Sequence, residues 1–534
     1  MKSGDRKGTE YATGKTWSRF FLPSARDLVF VLSLWALLIG PLSNRPLADA
    51  DIGWHIRTGE LILAQHAIPR TDPFSSTMQG QPWFAWEWLY DVGLGLVHRT
   101  MGLNGVVWLA ALVMSLTFSL LFGRLLSTGT GLPLALPLWL LALWASSIHA
   151  FARPHITSWL LTMSWFIALD EWEQGRTKPW VRWFFPLSMV LWVNLHGGWP
   201  LGLVLIAVFA LAACIESLKS RDEFERILCR NRARGMGVAL GLSLLATAVN
   251  PYGFSLHTHI CRYLNDSFLM NRIAEFRSPD FHGSGQRCFA VILLLTLLAF
   301  AANRSRIRVS NWFIVPLMAY AGSYAARNVP TAAQLLVLIA GPSLWQAVIE
   351  LSDRPAASGW VRAGAGYAAG LATRVTEQER HLKGRVWSAA TTAVTLLVCI
   401  AGGRVGSQQV LRSQFDTQHL PVSAAEFLRQ EKNPGPLFGP DQWGGYLIYA
   451  LYPQRRVVVD DRHDLYGSQR FREYDVLVQG SPGWQAVLAR WNIETVVVQS
   501  DSTLANLLRQ LPRQWRTVYD DSVAVVMQRN TERQ

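Results

Sequence analysis

The sequence is short of charge. Only 16% of its 534 residues are Asp, Glu, Lys or Arg, against about a quarter in a soluble domain, so an ordinary soluble chain fits poorly. Cysteine is scarce as well. Cys214, Cys229, Cys261, Cys288 and Cys399 are scattered, with no CxxC, which indicates neither a disulfide framework nor a zinc site. No G-x-G-x-x-G follows a strand and there is no P-loop, so a nucleotide site is not indicated. No H-x-x-x-H or H-E-x-x-H pairing marks the histidines as metal ligands. The net charge is +13, but no basic stripe carries interleaved aromatics, so nucleic acid is not an expected partner. No small-residue cleavage site follows the first apolar run, and residues 1–27 are expected to form a basic cytoplasmic tail before a retained helix.

Hydrophobic residues, by contrast, make up 50% of the chain and there are 24 tryptophans. Apolar runs recur at 28–43, 103–126, 132–149, 156–172, 181–194, 199–216, 236–250, 288–302, 309–325, 331–350 and 386–403. These predict about eleven membrane spans. Basic residues keep to the cytoplasm, which places the tail (Lys2, Arg6, Lys7, Lys15, Arg19, Arg26) inside. Alternating from there, every strongly basic loop falls inside: Arg176–Arg182, Lys219–Arg234, Arg304–Arg308 and Arg354–Arg385. The region from about Arg404 then lies on the outer face.

The loops assigned outside hold the chemically unusual peptides: Asp49–Glu60, His149–His155, Asn194–Trp199, Asn250–Gly253 and Arg327–Pro330. Polar groups converging on one face of a helical bundle predict an active site there. Within the outer loop 46–102, residues 59–66 and 83–98 have helical spacing and carry Trp83, Trp86 and Trp88, which predicts helices in the outer interface. Glu87 and Asp91 are four apart, hence on one helix face, either facing a site or solvated.

From Ser413 the pattern becomes a soluble α/β alternation. Arg455–Asp460, Ile493–Gln499 and Val523–Met527, the last a candidate edge strand, read as strands, and 423–430, 485–491 and 502–510 as helices. Asp460, Asp461 and Arg462 end the first strand, where an α/β domain often places its binding groups, although a solvated strand end is the expectation. The expected domains are thus 1–27, the membrane region 28–403 and an outer α/β domain over 404–534.

The outer cluster has a legible chemistry. Asp49 and Asp51 could act as base or orient a divalent cation such as Mg or Mn. Arg153, Arg327 and Arg57 could hold a phosphate, because a guanidinium fork matches phosphate oxygens. His55, His155, His196 and Glu87 complete the candidate set. Such residues suit transfer from a lipid phosphate, with a base deprotonating the acceptor and a cation stabilising the departing phosphate.

Several peptides carry a resemblance. They are Asp49-Ala-Asp-Ile-Gly-Trp-His-Ile-Arg-Thr-Gly-Glu60, Pro69–Phe74, Asn194-Leu-His-Gly-Gly198, Asn250-Pro-Tyr-Gly253 and Trp443–Ile448 with Asp460-Asp-Arg462. With the many spans and the outer C-terminal domain, the chain resembles the GT-C superfamily of membrane glycosyltransferases. That group includes protein O-mannosyltransferases, aminoarabinose transferases and oligosaccharyltransferase catalytic subunits, and the peptides are similar to those of a bacterial group within it. The resemblance implies a polytopic α-helical membrane protein whose donor is a polyprenyl-phosphate sugar. Its acceptor would be a glycan, lipid or protein at the membrane lipid surface. It also implies that Asp49 or Asp51 is the catalytic carboxylate, as base or metal ligand. The chain departs from oligosaccharyltransferases in lacking a W-W-D-Y-G peptide and a clear second-loop D-x-D/E, which argues against asparagine glycosylation. The competing expectation is a non-catalytic transporter or an assembly scaffold for envelope polysaccharide. A transporter more often places its polar residues at mid-membrane on broken helices in related halves.

Overall fold

The structure, a computed structural model, describes residues 21–302, 307–355, 357–382, 385–431 and 435–530. Most of the basic tail, with Arg304, Arg306 and Lys383, lies outside the described residues. The chain is mostly helical, and each apolar run lies on a helix. Among the described residues five helices are long and apolar enough to cross a membrane: Trp88–Ser127, Leu132–His149, Pro200–Lys219, Ser284–Ala302 and Ala326–Asp353. Val181–Leu195 and Val386–Ile400 are shorter apolar helices. The chain is a multi-pass membrane protein. Two of the basic linkers turn out helical: Glu223–Ala246 carries its basic residues on the same rod as its apolar end, and Gly359–His381 is a separate helix.

One group of charged residues inside the bundle forms a paired network, as buried charges require. Arg124 binds Asp170 and Glu171, while Arg308 binds Asp170 and Glu173, the last at 2.8 Å. These pairs tie helices Trp88–Ser127 and His155–Glu173 to the start of Val309–Tyr324 at the end remote from the candidate site.

The outer loop folds as expected in part. Ile52–Gln65 is a helix, and the second one begins at Trp88 rather than Trp83. It continues directly into the membrane rod through a kink at Gly102, where φ is 60°. Residues 83–87 instead run irregularly over the cavity, because Ala85 N–H donates to the Tyr252 hydroxyl at 2.8 Å.

The C-terminal unit has a four-stranded sheet ordered Leu437–Phe438, Thr495–Val498, Val525–Arg529, Trp515–Asp520. The first pair is parallel and the others antiparallel, with Val496 opposite Met527. Val525–Arg529 is therefore interior, not an edge. Its burial explains this: Val525, Val526 and Met527 are all buried in a row, which an edge strand half open to solvent would not need. Arg455–Asp460 is not a strand, making only single bridges through Val457 to Ser75 and Leu437. The predicted helices are present as Val422–Gln430, Trp484–Arg490 and Thr503–Arg509.

This unit is clamped onto the outer loop. A Cβ on Gly53 would lie 2.3 Å from the Gly445 carbonyl oxygen, and one on Gly445 2.5 Å from that of Ala50. Only glycine permits the helix Asp441–Leu451 to cross Ile52–Gln65 so closely. Arg462 pairs with Asp72 of the outer loop at 2.8 Å, and from residues 255–272 Arg272 pairs with Asp441 at 2.8 Å while His259 Nε2 hydrogen-bonds Asp464 at 2.9 Å. The C-terminal domain thus sits at the same end as the unusual loops.

Candidate active site

A cavity of about 560 Å³ lies where these loops meet the C-terminal domain. Of the residues singled out from the sequence, Asp51, His55, Glu87, Arg153, His155, His196 and Arg327 line it. The walls are largely aromatic, with Trp54, Trp83, Trp86, Trp159 and Tyr263, while Met318 and Tyr324 come from an apolar helix.

Asp49 and Asp51 are set by the turn that opens the helix Ile52–Gln65. The Asp51 backbone N–H donates to Asp49 Oδ1 at 2.9 Å, which fixes the Asp49 side chain against the Asp51 backbone. Arg153, from the loop before the helix His155–Glu173, reaches both. Its Nη1 lies 2.9 Å from Asp49 Oδ2 and its Nη2 3.1 Å from Asp51 Oδ2. The same Nη1 is 2.9 Å from Glu275 Oε1. Burial alone would raise the Glu275 carboxyl, but Arg153, His149 and Arg327 outweigh it and hold it well below the usual range.

Asp461 approaches from the C-terminal domain. Burial, then repulsion from Asp51, pushes its carboxyl well above the usual aspartate range. Asp51 is pushed up to about 6, chiefly by burial and against the pull of Arg153. The two carboxyls lie close enough to repel each other, which adds to the effect of burial on Asp461. Asp460 and Arg462, expected to be solvated, are instead buried. Arg462 grips Asp460 at 2.7 Å and Asp72 at 2.8 Å, and so presents Asp461 to Asp51.

A second polar layer sits beside the first. His55 is four residues beyond Asp51 and shares its helix face. Its Nδ1 is 2.6 Å from Asp91 Oδ1, and its Nε2 faces Glu87 at 3.9 Å. Glu87 also faces His196 Nε2 at 3.7 Å. Because Gly198 N–H donates to His196 Nδ1 at 3.0 Å, the ring proton of the neutral imidazole sits on Nε2, towards Glu87. Burial pushes Glu87 up to about 8, and burial with the nearby cations pushes the His55 and His196 rings down. Glu87 and Asp91 therefore belong to a buried network, not a solvated helix face. His155 donates through Nε2 to the His149 carbonyl at 2.7 Å, which holds it as a fixed wall.

The three arginines differ. Arg327 stacks over the Phe276 ring at 4.5 Å and has no carboxylate partner among the described residues, so its charge faces the cavity. Arg153 is engaged by carboxylates. Arg57 is not at the cavity: its guanidinium binds the Tyr449 carbonyl and Glu60, at 2.7 Å from the latter. Two residues beyond His55, it points about 200° away around the helix.

The sequence reading missed Glu275 and Asp461 as site residues. Asp461 was on view in Asp460-Asp-Arg462, but only the fold brings it to Asp51. Glu275 has no local signal, being a single acidic residue in a short turn.

The fit of a divalent cation can be judged from these contacts. Asp51 Oδ1 and Asp461 Oδ1 are buried without a geometric hydrogen-bond partner. Among the described residues no group of three or more His, Cys, Asp or Glu is arranged to hold a metal ion. The centre of the carboxylate cluster is filled by the Arg153 guanidinium, and the residues present do not fit a cation.

No protein-family profile and no curated protein matches the sequence. Solved structures do match. The archaeal oligosaccharyltransferase AglB from Archaeoglobus fulgidus, in complex with an inhibitory peptide and a dolichol-phosphate, aligns over 89% of this chain and 69% of its own. The TM-score is 0.55 and the identity 12%. The Archaeoglobus fulgidus oligosaccharyltransferase tethered with an acceptor peptide aligns over 90% and 69%, with TM-score 0.55 and 12% identity. ArnT from Cupriavidus metallidurans bound to undecaprenyl phosphate aligns over 95% and 97%, with TM-score 0.48 and 16% identity. At these identities the likeness is one of fold. This chain shares the fold of those archaeal oligosaccharyltransferase structures.

Proposed function

We propose that this protein is a membrane glycosyltransferase of the GT-C type, using a polyprenyl-phosphate sugar as donor. Its acceptor is a glycan, lipid or protein on the outer face of a bacterial inner membrane, with the N-terminus cytoplasmic and the C-terminal domain periplasmic. The observation that carries this reading is one cavity uniting a buried carboxylate, Asp51, with a cation, Arg327, that has no carboxylate partner among the described residues. Met318 and Tyr324 on its wall belong to an apolar helix, so a lipid tail could lie against the bilayer while the headgroup enters.

The chemistry follows from these groups. An acceptor hydroxyl passes its proton to Asp51 as its oxygen bonds to the anomeric carbon. The bond from that carbon to the phosphate oxygen breaks, and the electron pair leaves on the phosphate beside Arg327. An Asp51 carboxyl raised to about 6 is a stronger base than an ordinary aspartate, yet still ionised at neutral pH. Asp49 fixes the Asp51 backbone, and Asp461 keeps the adjacent pair at a single negative charge. Wall aromatics suit the faces of a sugar ring. A transporter or scaffold has less support, because the cavity's polar residues gather at one end of the bundle.

Binding tests the donor half. Native mass spectrometry of the purified protein with undecaprenyl phosphate should give a 1:1 adduct that Arg327→Gln weakens. Charge-assisted hydrogen bonds are worth about 1.5–3 kcal/mol, so the loss should be roughly 10- to 100-fold. An adduct indifferent to Arg327→Gln would remove the phosphate assignment.

A further inference from the structure

We propose that the Arg153 guanidinium fills the place a divalent cation would take among the site carboxylates, so that the transfer reaction runs without a metal. This rests on the transferase reading for its reaction, but its structural core does not. Carboxylates from two separate segments, Asp49 and Asp51 in the first outer loop and Glu275 near residue 275, lie 2.9–3.1 Å from Arg153 nitrogens. Those are the lengths of charge-assisted hydrogen bonds. A hard cation instead wants about six oxygens at roughly 2.0–2.6 Å, converging on one point. Here they converge on a planar fork that carries one charge and has several N–H groups to share among them.

Among the described residues no group of three or more His, Cys, Asp or Glu is arranged to hold a metal ion. Asp461, from the C-terminal domain, stands beside Asp51 and repels it, and is not paired with Arg153. His155 is committed to the His149 carbonyl, and His149 itself stands 3.9 Å from Glu275. Arg153 is thus a positioning residue. It orients Asp51 and offsets the acidic cluster, leaving the donor phosphate to Arg327. Its charge cannot dissociate or exchange as a bound ion does, since a guanidinium keeps its proton across the accessible pH range.

The test is Mn²⁺ binding to the purified full chain, followed by electron paramagnetic resonance of the free ion, with no substrate present. Wild type should bind no Mn²⁺ at this site. Arg153→Ala, which frees the carboxylates, should gain one Mn²⁺ per chain, and adding Asp51→Asn to that variant should abolish the gain. Arg153→Lys, which retains a cation, should gain none. If Arg153→Ala does not yield a monodisperse protein, Arg153→Gln takes its place. One Mn²⁺ per wild-type chain, lost in Asp51→Asn, overturns the proposal, and so does a folded Arg153→Ala or Arg153→Gln that gains none. Turnover of the donor, where it is found, should be unchanged by EDTA, and loss with EDTA restored by Mn²⁺ or Mg²⁺ also overturns it. Because Mn²⁺ binding is read without turnover, absence of any transferase activity would count against the proposed function alone.

Discussion

Arg462 offers the sharpest test of how the C-terminal domain is joined to the site. Its side chain is only 1% exposed and lies 2.8 Å from Asp72 and 2.7 Å from Asp460, both wholly buried. Replacing it by methionine keeps the apolar stem but leaves two buried carboxylates uncompensated. Breaking a buried pair in this way costs about 3–5 kcal/mol. At roughly 1.4 kcal/mol per factor of ten, the opened form of the domain should become about a hundred- to several-thousand-fold more populated. Limited proteolysis of the detergent-purified chain reads that population directly when reclosing is fast relative to cleavage. Arg429→Met is the control, since Arg429 is 45% exposed and pairs with an exposed Glu426, an interaction worth about 0–1 kcal/mol. The difference should depend on pH with a fixed sign. Burial raises the Asp72 carboxyl, but Arg462 and the hydrogen bonds from Ser75 and Phe74 bring it below its ordinary value. A depressed carboxylate stabilises the fold above its unfolded pKa and loses that contribution as pH falls through the folded value. The gap between wild type and Arg462→Met should therefore be full at pH 7 and narrow below about pH 4. An Arg462→Met chain cleaved no faster than Arg429→Met at pH 7 would refute the clamp.

Other consequences follow from the same geometry. Gly445→Val should overpack the crossing with Ile52–Gln65 and cost about 1–3 kcal/mol, seen as faster cleavage of the C-terminal domain with the membrane helices left intact. Donor turnover should rise with pH through about 6, where Asp51 ionises, and Asp461→Asn, which removes the carboxyl that interacts with Asp51, should displace that inflection. A pH profile flat between pH 5 and pH 8 would rule out Asp51 as the titrating base. Glu87→Gln should leave donor binding intact while altering the His55 and His196 imidazole shifts in nuclear magnetic resonance spectra, because Glu87 stands 3.9 and 3.7 Å from their Nε2 atoms.

The membrane part was legible because its signal is local. Every apolar run lies on a helix, and of the helix Ile52–Gln65 only the part from residue 59 was visible from its spacing. Misreadings arose where tertiary contact overrode the local pattern. Arg455–Asp460 has the valines of a strand, yet only single bridges form there, since the chain turns at once to bury Asp460 under Arg462. Arg57 was grouped with the site by nearness in sequence, whereas the helical turn carries it to the Tyr449 carbonyl. Asp461 and Glu275 reach Asp51 and Arg153 from far along the chain, and no periodicity encodes that meeting. The alternation of basic loops reported a bundle with one chemically distinct end, and the cavity does lie where those unusual loops converge.

The central claim is that Asp51 is the base of a sugar transfer. The most direct measurement follows slow hydrolysis of radiolabelled polyprenyl-phosphate sugars by wild type, Asp51→Asn and Asp49→Asn, with donor binding measured alongside. The account predicts that Asp51→Asn loses about 10²–10⁴-fold in turnover, the usual contribution of a positioned base, while still binding donor. Asp49→Asn should lose less. A wild-type protein that binds no donor, or an Asp51→Asn protein that turns it over at the wild-type rate, would contradict the account.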